Sequence, residues 1–272
     1  EAWLDGLSAM VGSLASRWSL SVGAPFQPGG QTAWVAPVRD SAGRTMVLKV
    51  GWPHREARDE ARGLRAWAGH GAVRLHRVKT FAHSAGLLLE RCEPGTPLAS
   101  RPEEGQDVVI AALLRRLWRA RLPGDHGFRP LQMMCDDWAE EFETKAAASG
   151  RVVDRGLARD GLTLFRSLPA TAACEVLLCT DLHAENVLAA QREPWLVIDP
   201  KPYVGDPTYD ALQHLLNCPH RLHANPRELA WRLADLLDLD RDRLLLWLFA
   251  RCVQESLDYP ALAEIASRIA PT

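Results

Sequence analysis

The segment Glu93-Pro-Gly-Thr-Pro97 constrains the fold most sharply, because its prolines and glycine end any helix or strand that reaches them. Before it, short apolar runs alternate with turn signals. Residues 20–26, 32–39 and 45–51 read as strands, with Asp40-Ser-Ala-Gly43 as the hairpin turn between the last two. Residues 73–80 and 86–91 read as two more. The spacing of Trp3, Leu4, Leu7, Met10, Val11 and Leu14 predicts a helix over 1–18. A second helix is expected over 55–67, stopped by Gly69 and Gly71. After the break the pattern turns helical, over about 103–121, 131–148, 158–168, 208–215, 227–236 and 241–257. Residues 175–199 are the exception and read as short strands and loops. The expectation is an α+β chain in two lobes: an antiparallel sheet with helix over 1–92, a hinge at 93–97, and a mainly helical lobe over 98–272. Ligands favour the cleft of such a molecule.

Composition narrows the function. Hydrophobic residues make up 47% and charged residues 24% of the 272, so a packed core is expected. A net charge of -2 lacks the basic excess that a nucleic-acid surface needs. No apolar run approaches a membrane span, and the start of the chain lacks the basic-then-apolar layout of a secretory leader. The six scattered cysteines are expected as buried reduced thiols, which with the foregoing makes the cytoplasm the expected location. Cys218 with His220 and His223 lacks the second cysteine pair of a zinc finger and reads as structural.

The stretch Cys179-Thr-Asp-Leu-His-Ala-Glu-Asn-Val-Leu188 contains D-L-x-x-x-N, the spacing of a kinase catalytic loop. That chemistry needs a carboxylate against an attacking hydroxyl and, five residues on, an amide oxygen for a metal on nucleotide phosphates. Asp181 is the candidate for the first role and Asn186 for the second. Thirteen residues beyond Asn186, the apolar strand Trp195-Leu-Val-Ile ends in Asp199-Pro, where a second metal-binding carboxylate belongs. The run Val47-Leu-Lys-Val50 sets one cation in an apolar strand. Lys49 therefore either snorkels from an edge or pairs with an anion, Glu56 or the deeper Glu60 on the following helix. Gly29 and Gly30 either bring backbone amides to phosphates or merely punctuate a hairpin. The segment Leu87 to Cys92, with Glu90, would be the strand entering the hinge, its backbone facing a nucleobase edge.

With these residues in hand, the chain resembles the aminoglycoside phosphotransferases, and among them the streptomycin 6-kinase and hydroxyurea phosphotransferase group. The resemblance lies in Leu64-Arg-Ala-Trp67, Gly71-Ala-Val-Arg-Leu75, Leu87-Leu-Leu-Glu-Arg91 and Asp181-Leu-His-Ala-Glu-Asn-Val-Leu188. It continues through Arg192-Glu-Pro-Trp-Leu196 and Ile198-Asp-Pro-Lys-Pro202 to Val204-Gly-Asp-Pro207 and Tyr209-Asp210. It spans about 18–217. It implies a protein-kinase-like fold and an ATP- and Mg²⁺-dependent phosphotransferase, with GTP as the alternative donor. Asp181 would be the catalytic residue, Asn186 and Asp199 the metal ligands, and Lys49 the phosphate-binding lysine. His183, Asp206 and Asp210 would support the loop. Cys179 stands where the family commonly carries His, and Thr180 where relatives often carry Gly or Trp.

The acceptor implied is a hydroxyl of a small molecule, a cationic antibiotic such as streptomycin. A small hydroxylated metabolite or hydroxyurea is the alternative, and a non-catalytic nucleotide-binding module the remote one. For a polycation, Asp136, Asp137, Glu140 and Glu141 form one candidate acidic wall, and Glu255 with Asp258 another. The sequence names no protein partner.

Overall fold

The computed structural model describes residues 2–27, 32–52, 59–82, 84–149 and 154–271. The chain forms two compact units, 1–98 with 186–201 and 99–185 with 202–272.

In the first unit, helix α1 (Ala2–Trp18) leads into strands β1 (Leu20–Val22), β2 (Ala33–Asp40) and β3 (Thr45–Gly51), helix α2 (Glu60–Trp67), and strands β4 (Leu75–Phe81) and β5 (Ser84–Glu90). The strands make one antiparallel sheet in the order β1-β2-β3-β5-β4. Asp40 nucleates the β2–β3 turn by accepting from the amides of Ala42 and Arg44, while Gly43 takes a φ of +80°. Along β3 the period of two sends Met46, Leu48 and Val50 into a core with Leu14, Trp18, Val38 and Leu88. Gly86 permits that packing. A Cβ there would come within 2.4 Å of Leu14, so α1 seats where β5 has no side chain. Regular pairing of β1 ends at Val22 rather than reaching residue 26, because its partner strand carries Pro37, which has no N–H to give.

Strands β7 (Val187–Ala189) and β8 (Trp195–Val197) form a hairpin belonging to this first unit. Val73 N–H donates to the Val197 carbonyl at 3.0 Å and Val197 N–H to Gly71 at 2.9 Å. On the other edge, Gly95 N–H reaches the Ala189 carbonyl at 3.0 Å and Ala189 N–H reaches Thr96 at 2.9 Å.

The second unit holds α3 (Glu103–Leu117), α4 (Leu131–Ser149), α5 (Arg155–Ser167), the strand pair β6 (Val176–Leu178) with β9 (Tyr203–Gly205), and α6 (Leu212–Leu216). It continues with α7 (Pro219–Ala224), α8 (Pro226–Leu237), α9 (Arg241–Glu255) and α10 (Ala261–Ile269). Helix α9 is its axis, with Leu244, Trp247, Leu248, Phe249, Cys252 and Val253 buried. Phe165, Tyr209 and Trp247 meet there, the last two edge to face at 5.1 Å. Side-chain caps set three starts: Asp154 before α5, Asn225 before α8 and Asp240 before α9. The Asp154 cap begins α5 three residues before the expected position. Residues 207–211 form a tight 3₁₀ turn before α6, because Asp206 caps that turn and Pro207 starts it. Helices α7 and α10 are additions to the sequence expectation. Among the described residues, no helix is long and apolar enough to cross a membrane.

Candidate active site

Lys49 lies on β3 opposite Val35 and Leu87, on the strand position whose neighbours Leu48 and Val50 face the α1 core. It is 8% exposed. Its Nζ donates to both oxygens of Glu60, each at 2.8 Å, and to Asp199 Oδ1 at 2.5 Å. The pairing reading therefore holds over the snorkelling one, with Glu60 as a partner; Glu56 lies outside the described residues. Burial alone would pull the Lys49 pKa down, but the carboxylates of Glu60 and Asp199 overcome it and raise it. Burial pushes Glu60 up, with Lys49 opposing and Asp199 reinforcing. One ammonium thus serves two carboxylates.

The β7–β8 hairpin explains how Asn186 and Asp199 come together. Its register pairs Val187 with Val197, and Ile198 N–H donates to the Asn186 carbonyl at 2.9 Å. Asn186 and Asp199 consequently leave the same open end of one hairpin. Asp199 holds a φ of +51°, a left-handed conformation costly for a side chain with a Cβ. Its side chain keeps 42% exposure although one oxygen engages Lys49. An amide oxygen and a carboxylate are hard donors of the kind Mg²⁺ takes, so the residues present fit that ion.

In the second unit, the backbone before Asp181 is pinned by Asp210. Its carboxylate accepts from Cys179 N–H at 3.0 Å, Thr180 N–H at 2.6 Å and Trp118 Nε1 at 2.9 Å. Thr180 carries a φ of +52°, unusual for a β-branched residue, and sits immediately before Asp181. Asp181 N–H turns back to the Cys179 carbonyl at 2.8 Å. Burial pushes Asp210 up to about 6, against the N–H donors of Trp118, Cys179 and Thr180. Asp206 accepts from Thr208 N–H at 2.9 Å, Arg243 Nε at 2.7 Å and Trp247 Nε1 at 2.6 Å. It joins the loop after β9 to α9. His183 is half-buried.

The remaining candidates scatter. Gly29 and Gly30 lie outside the described residues. Cys92 is buried, and burial holds its thiol up at about 12. The Glu90 side chain is engaged by Arg192, in the β7–β8 turn, at 2.8 Å through two nitrogens. Sequence reasoning carried Arg192 only as part of the family match and missed its tie to Glu90, because a charge in a polar turn gives no local sign of a distant partner. Glu141 and Asp258 share Lys145, at 3.0 and 2.7 Å, while Asp136 accepts from Gln132 at 2.9 Å. Glu140 and Asp258 are exposed and Asp137 is half-buried. Glu255 pairs with Arg251 at 2.5 Å, and that guanidinium lies over Trp138. Glu255 also lines a cavity of about 610 Å³ with Gln213, Asn217, His220, His223 and Tyr259.

Cys218 does not gather His220 and His223, which are exposed. It lies instead near His214 and Asp107, the only His, Cys and acid cluster with converging ligand atoms among the described residues. Asp107 there accepts from His214 at 2.9 Å, Arg221 at 2.8 Å and Arg232 at 2.7 Å. Two guanidiniums on that carboxylate make it an ion-pair hub rather than a cation site. Of the cysteines, Cys174 is exposed and the other five are buried, and none forms a disulfide.

An aminoglycoside phosphotransferase from Streptomyces rimosus, solved with ADP and streptomycin, has the same fold. It superposes with a TM-score of 0.58 at 18% identity, covering 92% of this chain and 98% of that one. Residues 17–258 match the aminoglycoside/hydroxyurea antibiotic resistance kinases, and the chain belongs to that family. The streptomycin 6-kinase of Streptomyces griseus is 36% identical over 264 residues, which is 94% of this chain and 84% of that protein. The hydroxyurea phosphotransferase of Kitasatospora aureofaciens is 36% identical over the same share of this chain and 74% of its own length. The chain is therefore a phosphotransferase of the small-molecule kinase type.

Proposed function

We propose that this enzyme transfers the γ-phosphoryl group of ATP to a hydroxyl of an aminoglycoside antibiotic, streptomycin being the acceptor that its relatives favour. The observation that carries this reading is the Lys49–Glu60–Asp199 cluster. A buried lysine held cationic beside an accessible carboxylate serves a polyphosphate better than it serves stability.

In this reading Asp181 accepts a hydrogen bond from the acceptor hydroxyl and takes its proton as the new oxygen–phosphorus bond forms. The bond from the γ-phosphorus to the bridging oxygen breaks, and ADP departs with that electron pair. Lys49 donates to phosphate oxygens of the nucleotide. Asn186 and Asp199 would hold Mg²⁺, which supplies neutralisation of phosphate charge when bound. Glu60 orients Lys49 and keeps it from folding back. Asp210 fixes the backbone that presents Asp181.

For the acceptor, Glu255 and its cavity in the second unit suit a ligand of drug size, and carboxylates can hold guanidinium groups in bidentate pairs. Asp136, Asp137, Glu140, Glu141 and Asp258 supply further negative charge. A second reading, hydroxyurea as acceptor, is favoured by the equal identity to the hydroxyurea phosphotransferase. The test is Mg²⁺-dependent ADP release from ATP with streptomycin, other aminoglycosides, hydroxyurea and small hydroxylated metabolites, GTP replacing ATP in a parallel series. Streptomycin-dependent turnover that vanishes in Asp181→Ala, with nucleotide binding retained, supports the proposal. Turnover with hydroxyurea alone, or with a metabolite alone, overturns the antibiotic assignment.

A further inference from the structure

Arg192 makes more side-chain bonds than a turn residue needs. Its Nε and one terminal nitrogen grip the two oxygens of Glu90 at 2.8 Å each. The other terminal nitrogen reaches the Gly69 carbonyl at 2.6 Å and Glu193 at 2.6 Å, and the first also reaches the Ala72 carbonyl at 3.0 Å. Glu90 in turn accepts from Arg74 N–H at 2.9 Å. Burial alone would raise the Glu90 pKa, but Arg192 and the Arg74 amide overcome it and keep the carboxylate charged. One guanidinium thereby joins the β7–β8 turn, the end of β5 and the loop after α2.

We infer that Arg192 is a positioning residue for Asn186 and Asp199, fixing the hairpin that carries both through its bidentate grip on Glu90. The inference rests on the metal-ligand reading of those two residues. The backbone bonds of Val197 hold the open end of the hairpin and those of Ala189 the end next to the turn, where Ala190 N–H closes on the Pro194 carbonyl at 3.4 Å. Arg192 ties that turn to Glu90, Gly69 and Ala72 by its side chain. A tilt of so short a ladder displaces both residues at its open end together. The planar fork matters as well as the charge, because a lysine cannot make two parallel bonds to one carboxylate while reaching two carbonyls.

The experiment uses the whole chain in the variants Arg192→Gln, Arg192→Lys and Glu90→Gln, with Asp199→Asn as control. It has two readouts: residue-resolved amide exchange without ligand, and Mn²⁺ affinity in the presence of ADP. The expected result is faster exchange at Ala189, Val197 and Ile198 with the β2–β3 ladder unchanged. Mn²⁺ affinity falls about 10- to 100-fold in Arg192→Gln, as for other residues that orient metal ligands. Arg192→Lys recovers little of either. Unchanged exchange at these three amides, or faster exchange with undiminished Mn²⁺ affinity while Asp199→Asn loses it, overturns the inference. If Asp199→Asn also binds Mn²⁺ normally, it is the metal reading that fails, and the inference about its ligands falls with it. Uniformly faster exchange throughout the first unit would show general destabilisation and also overturn it.

Discussion

Lys49 Nζ stands 2.8 Å from both oxygens of Glu60 and 2.5 Å from Asp199 Oδ1, so a residue of β3, one of α2 and one beyond β8 share a single positive charge. Replacing Lys49 by Met strands a buried carboxylate. Removing one partner of a buried ion pair costs about 3–5 kcal/mol. Chemical denaturation of Lys49→Met should show a loss of that order, and the double variant Lys49→Met with Glu60→Gln should regain much of it. Neither should regain phosphoryl transfer. Recovery of activity in the double variant would mean that the ammonium acts on Glu60 alone.

Asp210 gives a pH dependence with two opposite signs. Its pKa in the fold, about 6, exceeds the ordinary 3.8, so the folded state binds this proton more tightly. Its contribution to stability is complete below about pH 4 and is lost as pH rises through about 6. The loop, however, needs the ionised form, since a hydroxyl among N–H donors leaves one donor without an acceptor. The kcat profile should therefore fall on the acid side with an apparent pKa near about 6 while this group adds no loss of thermal stability. Asp210→Asn should lower kcat throughout and erase that limb. An acid limb that persists in Asp210→Asn assigns it elsewhere.

Thr180 occupies a left-handed conformation that glycine adopts without penalty. Non-glycine residues in such a conformation cost about 1–3 kcal/mol, against about 0.5–1 kcal/mol for the added freedom of glycine in the unfolded chain. Thr180→Gly is thus expected to leave the melting temperature unchanged or raise it. A melting temperature lowered by several degrees would show that contacts of the threonine side chain outweigh the backbone strain.

Asp107 joins α3 to α6, α7 and α8 by accepting from His214, Arg221 and Arg232. His214, Arg221 and Arg232 hold its pKa well below the usual carboxylate range against the effect of burial. Asp107→Asn should destabilise the chain by about 3–5 kcal/mol. The nucleotide KM should not move, because the hub belongs to the helices of the second unit. A changed nucleotide KM at temperatures where the variant remains folded would refute this purely structural role.

Some of this was legible in the sequence for physical reasons. Lys49 stood out because a lone charge inside an apolar strand demands an explanation, and Asp181, Asn186 and Asp199 because their spacing suits one chemistry. The β2–β3 turn was readable from Asp40 and Gly43, whose roles are local. The tie of Arg192 to Glu90 was not, since the two lie 102 residues apart. Helix α7 hid behind Cys218-Pro-His220, where the same residues suggested metal chemistry, and α10 is a nine-residue element whose apolar face means little until α9 covers it. Whether Lys49 snorkels or pairs could be decided only by placing α2 and the β7–β8 hairpin against the strand.

The hairpin at 186–201 completes the first unit although 87 residues of the second are synthesised before it. Emerging from a ribosome, the sheet is made long before the hydrogen-bond partners of Val73 and Gly95 and the counter-charge of Glu90. The first unit is thus obliged to wait, half-finished, while α3 to α5 are translated. A fragment ending at residue 98 would expose that vacant edge, so the gene offers no simple cut that yields a free-standing sheet unit.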